Sequence, residues 1–498
     1  MKNRNIHKLL IGLVAILLLT ACQEWLTIEP ENKIVKENFW KTKEDVDAVV
    51  ASTYNKLRDI VNEEFLWGEV RGDLFTPGTR ITNDYLRVME GNIFPDNSIA
   101  IWDDYYKIVN QANLVMDNAP GVRDIDLTFT KEELDVIVGQ MLFLRSFCFF
   151  TLAKTFRDIP MPLEAFENDY QEFQIGQVAQ KDVFLQIIED LKTAEQILPE
   201  SHEFKDTYLN FKGKVSKYAA KAMMADVYLW LNEPQLSIQK CDEVITSGKY
   251  SLLGMTYWFK IFRQGFTNES IFEIYSSIGD GQPNRDEIKK LSSNTSFTNL
   301  SHKYFDVSGP KMDLFKSDPR GDLKTVAYSP SVNDRTLWKW IGGSDLSVRD
   351  YRYSNDVNWI IYRFAEMFLI KAEAAIMLDD YTTAREAIGI IRGRAGATPL
   401  ALADDAGKYY WYQAVLNERF LEFSGEGKRW HDLVRIASKD NYEYKDLLVE
   451  PIMDNAELSV KVLLKSKIGI PGFWYLPIHE NELRVNKNLI QNEFYKTN

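Results

Sequence analysis

Apolar residues recur at three- and four-residue spacing through much of this chain, and that period predicts amphipathic helices. Phe39 to Ile60 carries the pattern, with Thr42 placed as its N-cap. Leu134 to Phe156 is longer and more apolar, and Asp158-Ile159-Pro160-Met161-Pro162 stops it because proline has no amide hydrogen to donate. Val183 to Leu198 ends at Pro199, and Ser216 to Leu231 is rich in alanine and ends near Pro234. Trp359 to Leu378, Tyr381 to Arg394 and Tyr410 to Phe423 complete the set. The expected fold is mainly α.

These helices fall into pairs joined by short turns. Ala372 and Ala384 stand twelve residues apart across the turn at Asp380-Tyr381, and Ala225 and Ser237 repeat the interval. That is the spacing of the small packing residues in a tetratricopeptide repeat, where they let one helix approach its neighbour closely. The pattern therefore predicts a tetratricopeptide-like helical repeat scaffold, with its helices mainly within 134–248 and 359–436. Residues 65–105 and 255–357 lack a sustained helical period and are rich in Gly, Asn, Ser, Asp and aromatics. They are expected to be long loops and short strands laid over the scaffold. Connections of that length in a compact domain usually bind something, so they are the candidate ligand-binding face.

The N-terminus follows a different pattern. Lys2, Arg4 and Lys8 precede an eleven-residue apolar run, Leu9 to Leu19, and then Leu19-Thr20-Ala21-Cys22. Eleven helical residues reach about 16 Å, roughly half of a bilayer core, so residues 1–21 are expected to be an export signal rather than a membrane span. The tetrapeptide resembles a bacterial lipobox, which makes Cys22 the expected lipid attachment site and 22–498 the mature domain. Removing three cations takes the formal net charge from −13 to −16. Such an acidic chain lacks the basic field that general nucleic-acid binding needs. Cys148 and Cys241, both in helical segments, are expected to be buried free thiols.

Catalytic signatures are scarce. The five histidines form no H-E-x-x-H and no close pair at metal-ligand spacing, and neither G-x-S-x-G nor a P-loop occurs. No cofactor and no metal are expected. Glu418, Arg419, Glu422, Glu426, Arg429, Asp432 and Arg435 form the densest charged cluster. Two of its carboxylates would suit a glycosidase, but arginines on every side favour ionised carboxylates, so interhelical ion pairing is the expected role. Arg71-Gly72-Asp73 matches an adhesion tripeptide, a match common by chance.

Six ordered motifs resemble one family, the SusD/RagB-type outer-membrane nutrient-binding lipoproteins. Phe39-Trp40-Lys41-Thr42-Lys43-Glu44-Asp45 to Tyr54 resembles its opening helix, and Trp102, Tyr105-Tyr106, Ile108 and Asn113 its next core segment. Met141-Leu142-Phe143-Leu144-Arg145-Ser146-Phe147 with Asp158-Ile159-Pro160 is similar to the central motif. Tyr362 to Glu366 with Lys371-Ala372-Glu373-Ala374 resembles the late repeat helix, and Glu418-Arg419 to Leu433 the E-R…E-G-x-R-W-x-D-L signature. Trp474 to Pro477 and Asn486 to Asn492 resemble the closing tail. Ser237 departs from the family's usual Ala. The resemblance implies a non-catalytic lipoprotein, lipid-anchored on the outside of the outer membrane. It would capture oligo- or polysaccharide, or peptide, and act as a lid delivering it to a SusC-like TonB-dependent transporter.

Binding residues in that family lie in variable loops, so they are chosen here on chemistry. Sugar C–H faces pack on aromatic rings while hydroxyls need directed polar partners. Trp67, Arg80, Asn83, Asp84 and Tyr85 are the candidates in the first loop segment. In the second, Trp338 and Trp340 would share one face of a strand, and Phe297 would form a rim. Packing against the helices is the competing role for each ring. Glycan capture is the expected function, with peptide import on the same fold or a surface glycosidase as alternatives.

Overall fold

The computed structural model describes residues 39–167, 171–201, 213–277, 304–321, 323–329, 334–340 and 357–496, together with 279, 281 and 342. The export signal, Cys22 and Phe297 lie outside the described residues.

Helix α1, Lys43–Lys56, begins as expected: Thr42 and Asp45 form a reciprocal capping box that satisfies two otherwise unpaired amides. Helix α2, Asp103–Ile125, packs on α1 and on α3, Lys131–Phe156. Thr130 and Glu133 cap α3 in the same way, and Arg157 ends it with φ 74. The following Ile159-Pro160 (β2) then pairs with Gln177–Val178 (β3). Helix α3 is long and apolar enough to cross a membrane, but almost all of that stretch is buried in the helical array.

From α3 the stack runs in chain order through α4 (Gln180–Ile197), α5 (Lys217–Trp230) and α6 (Pro234–Ile245). The chain then leaves the stack. It returns as α7 (Phe364–Met377), packed on α6, and continues with α8 (Tyr381–Ala395) and α9 (Lys408–Phe423). The small-residue pairs sit where the repeat spacing put them: Ala372, Ala384, Ala225 and Ser237 are all fully buried. The Ser237 hydroxyl donates to the Ala225 carbonyl at 2.8 Å, so the departure from Ala adds a cross-helix hydrogen bond. Cys148 and Cys241 are buried free thiols, and burial pushes both thiols well up.

Three local expectations need correction. Trp359–Arg363 is a strand (β8), not the first turn of a helix, and pairs antiparallel with Ser270–Ile274 (β4). Its aromatic and β-branched residues suit a strand buried on both faces. Asn83–Met89 is a short helix within the segment expected to be loop, and α2 runs through residues where no helix was expected. The excursion contributes β5 (Phe305–Val307), which pairs with β1 (Phe75–Pro77) from the first loop segment, and a hairpin, β6 (Val326–Ser329) with β7 (Asp334–Leu337).

Candidate functional site

Pairing of β1 with β5 brings the two expected loop segments together on one face. The Asn83–Met89 helix starts there, because the Thr82 hydroxyl accepts from the Tyr85 amide. The half-buried Tyr85 ring lies edge-on to Tyr304, 5.8 Å between centroids, and tilted against Phe305 at 5.6 Å. Asp84 ties the next loop down: its carboxylate accepts from Ser98 Oγ at 2.5 Å, and its carbonyl accepts from Asn97 Nδ2 at 3.1 Å.

The result is a surface cleft of ≈ 430 Å³. Its buried lining includes Leu66, Ile99 and Tyr105, and its open side includes Tyr85, Ile101 and the first turn of α2. Lys107 donates to Asp103 at 2.7 Å and to Asp104 at 2.8 Å, and those bonds raise its pKa. Burial, reinforced by the neighbouring Glu64 carboxylate, keeps the Tyr105 hydroxyl far above its usual range, so it stays a neutral donor. An aromatic edge, an exposed aliphatic side chain and charged hydrogen-bonding groups therefore share one concave surface. Such a surface suits a ligand with both C–H faces and hydroxyls.

Of the sequence candidates, Tyr85 lines this cleft, Asp84 holds its lining residue Ser98 in place, and Asn83 and Arg80 are exposed. Three tryptophans do not form an exposed platform. Trp67 is 1% exposed, stacks on Tyr105 at 4.9 Å and donates to the Ile99 carbonyl at 2.7 Å. It supports the cleft from behind. Trp338 and Trp340 follow β7 in a turn closed by the Gly342 amide on the Trp338 carbonyl, so strand alternation does not apply to them. Trp340 stacks on Trp359 at 5.5 Å and donates to the Gly425 carbonyl at 3.0 Å. Trp338 packs on Ala327, and a Cβ on Gly342 would fall 2.0 Å from its Nε1. Lys339 between them is also buried, its ammonium 2.8 Å from Glu426.

The charged cluster is the ion-pair network its arginines implied, and it is larger than its sequence stretch. Glu422 accepts from Arg363 at 2.6 Å, from Arg320 at 3.1 Å and from Arg394. Arg363 also meets Glu426 and Glu269, while Arg320 meets Glu418 and Asp318. Burial opposes the charge on Glu422, but Arg394, Arg363 and Arg320 outweigh it and hold the carboxyl well below the usual range. Asp432 is held at about 2 in the same way, burial being overcome by Arg419 and Arg435. Neither can act as a protonated acid near neutral pH.

Arg71 and Asp73 are also internal. Arg71 donates to the Trp474 carbonyl at 2.6 Å, and Asp73 pairs with Arg429 and Lys311. The Gly425-Glu426-Gly427 turn docks on the π-helical Leu66–Val70 segment, with a Cβ on Gly68 excluded by the Gly427 carbonyl 1.9 Å away. Buried Glu69 accepts from the Gly427 and Lys428 amides at 3.0 and 3.2 Å. The signature segment is thus a packing element.

Comparison with known proteins agrees along nearly the whole chain. Residues 24–229 match a family model described as "Starch-binding associating with outer membrane", and residues 281–495 match the SusD family model. The chain belongs to the SusD family. It is 26% identical to the SusD-like protein P38 of Formosa agariphila, over 87% of this chain and 92% of that one. It is 24% identical to SusD-like protein P25 of the same organism, over 95% of each chain. A SusD superfamily protein from Bacteroides vulgatus superposes with a TM-score of 0.77 at 22% identity, covering 91% of this chain and 99% of that one. Another, from Bacteroides thetaiotaomicron, superposes at 0.74 with 19% identity, covering 92% and 99%. These structures share the helical scaffold.

Within this SusD-family chain, reading the sequence missed Ser98, Ile101 and the Asp103-Asp104-Lys107 turn of the cleft. The available signal was an Ile-Trp pair ahead of an acidic helix start, with a lysine one turn on.

Proposed function

We propose that this SusD-family protein captures oligo- or polysaccharide in the Tyr85 cleft and delivers it, unmodified, to a SusC-like TonB-dependent transporter. The carrying observation is the cleft itself, an open concave surface where Tyr85 and Ile101 sit beside Ser98, Asp103 and Lys107. The carboxylates dense enough to suggest hydrolysis are buried in ion pairs, which favours capture without turnover. Anchoring through acylated Cys22 on the outer face of the outer membrane completes the reading. Each buried CH₂ of such a lipid contributes about 0.8 kcal/mol to holding the protein there.

The test is affinity electrophoresis of the mature chain without its lipid, across polysaccharides and peptide mixtures, with reducing ends followed in the same samples. Retardation by a glycan, lost in Tyr85→Ala and without new reducing ends, is the expected result. Retardation with turnover would refute the non-catalytic reading. Binding to peptides alone would move the protein to peptide import.

A further inference from the structure

Glu64, which accepts from Tyr105 of the cleft at 2.7 Å, also lines a separate small cavity of ≈ 30 Å³. Lys154 reaches this cavity from α3, Asp226 from α5, Arg419 from α9, and His431 from the helix Arg429–Ala437. Their hydrogen bonding is incomplete. The Lys154 ammonium lies 4.2 Å over the Phe150 ring and makes no hydrogen bond or direct ion pair with any described residue. Arg419 spends Nε on Asp432 and Nη2 on Glu366, but its buried Nη1 has no partner. His431 Nδ1 has none either, and both side chains are more than nine-tenths buried.

A buried polar group without a partner is costly, and a charged one more so, so Arg419 Nη1 and His431 Nδ1, orphaned on one cavity beside the partly buried Lys154 ammonium, call for a common partner. Burial also lowers the pKa of His431 well below its usual range, leaving a neutral ring whose Nδ1 can accept. An ordered water needs about 10–15 Å³ and two to four polar neighbours. The chemistry required is an acceptor for Lys154 and Arg419 that is also a donor to His431 or a carboxylate. Water meets both demands. A halide meets only the first, and Glu64, Asp226 and Glu366 on the same lining repel it.

We infer that this cavity is a hydration site of one or two ordered waters, accepting from Lys154 Nζ and Arg419 Nη1 and donating to His431 Nδ1, Glu64 or Asp226. The site turns Lys154 into a water-bridged partner of both carboxylates. It also joins α3 to α9 and to the helix carrying the family signature, across the inner side of β8.

The test is a high-resolution crystal structure of the mature chain without its lipid, soaked in bromide, with water oxygen-17 relaxation dispersion in solution. The expected result is one or two solvent peaks within hydrogen-bond reach of Lys154 Nζ and of Arg419 Nη1 or His431 Nδ1, with no bromide signal. Lys154→Met should remove one or two long-lived waters from the dispersion. His431→Phe, which fills the cavity, should do the same and serves if the first variant fails to fold. A bromide peak, or Lys154 bonded directly to Glu64 or Asp226 with no solvent, would overturn the inference. So would a dispersion amplitude unchanged in a folded variant.

Discussion

Replacing Glu422 by Gln keeps the side-chain shape and removes one charge from the centre of the buried network. Glu422 is fully buried and faces three guanidiniums, those of Arg320, Arg363 and Arg394. Breaking a buried ion pair by removing one partner costs about 3–5 kcal/mol, because the remaining charge is left uncompensated in low dielectric. Here each arginine keeps another carboxylate: Arg320 has Glu418 at 2.7 Å, Arg363 has Glu426 at 2.8 Å, and Arg394 has Glu269 at 3.5 Å. The amide nitrogen of Gln would still point a donor at donors. The expected loss is therefore at the lower end, about 3 kcal/mol at neutral pH. Urea unfolding of wild type and Glu422→Gln measures it as a fall in midpoint at constant slope. The pH dependence follows from the depressed carboxyl. The wild-type advantage is fully present above the ordinary carboxylate pKa of about 4.3 and is lost as pH falls through the lower folded value. A loss below about 1 kcal/mol would show that the network does not hold the excursion to the scaffold in this way. A folded, equally stable Glu422→Gln that lost a hydrolytic activity would restore the glycosidase alternative.

Trp340→Ala should cost about 3–5 kcal/mol, since the indole fills a core site against Trp359 and Phe262, and binding should change only as far as folding does. A stable Trp340→Ala with lost glycan retardation would contradict its placement. Glu69 has its pKa pushed up to about 8 by burial, partly offset by its bonds from Lys428 and Gly427. Its contribution is fully present below the unfolded carboxylate pKa and declines by about 1.4 kcal/mol per pH unit until the folded value is passed. Between pH 5 and 8, Glu69→Gln should lack that decline relative to wild type in urea unfolding, and parallel curves would refute it. Cys148 and Cys241 should be silent to a thiol reagent in the native protein and react together on unfolding, which a spectrophotometric titration reads directly.

Much of the scaffold could be read along the chain. Helical period, the Thr42 cap, the stop at Pro160 and the twelve-residue intervals are local signals, and each depends on neighbours within a turn or two. The excursion resisted the same reading. Trp338-Lys339-Trp340 looks like an alternating strand, yet all three are buried, because the chain turns after Leu337 and Glu426 supplies a counter-charge for Lys339. The partners of Glu422 come from Arg320, Arg363 and Arg394, positions with no fixed spacing from it. Tyr85 was identifiable as an aromatic residue among polar ones. Its cleft partners Ile101 and Lys107 were not, since only the fold of the Ser98 loop onto Asp84 sets them opposite.

The helical repeat, the buried thiols, the ionic character of the signature segment and the family could all be read along the chain. All of these rest on residue periodicity or on motifs contiguous in the chain. The tertiary structure decided which aromatic rings face water. Exposure depends on which distant segment covers a ring: Ile99 and Tyr105 cover Trp67, and Trp359 and Gly425 cover Trp340, while nothing closes over the mouth of the Tyr85 cleft among the described residues.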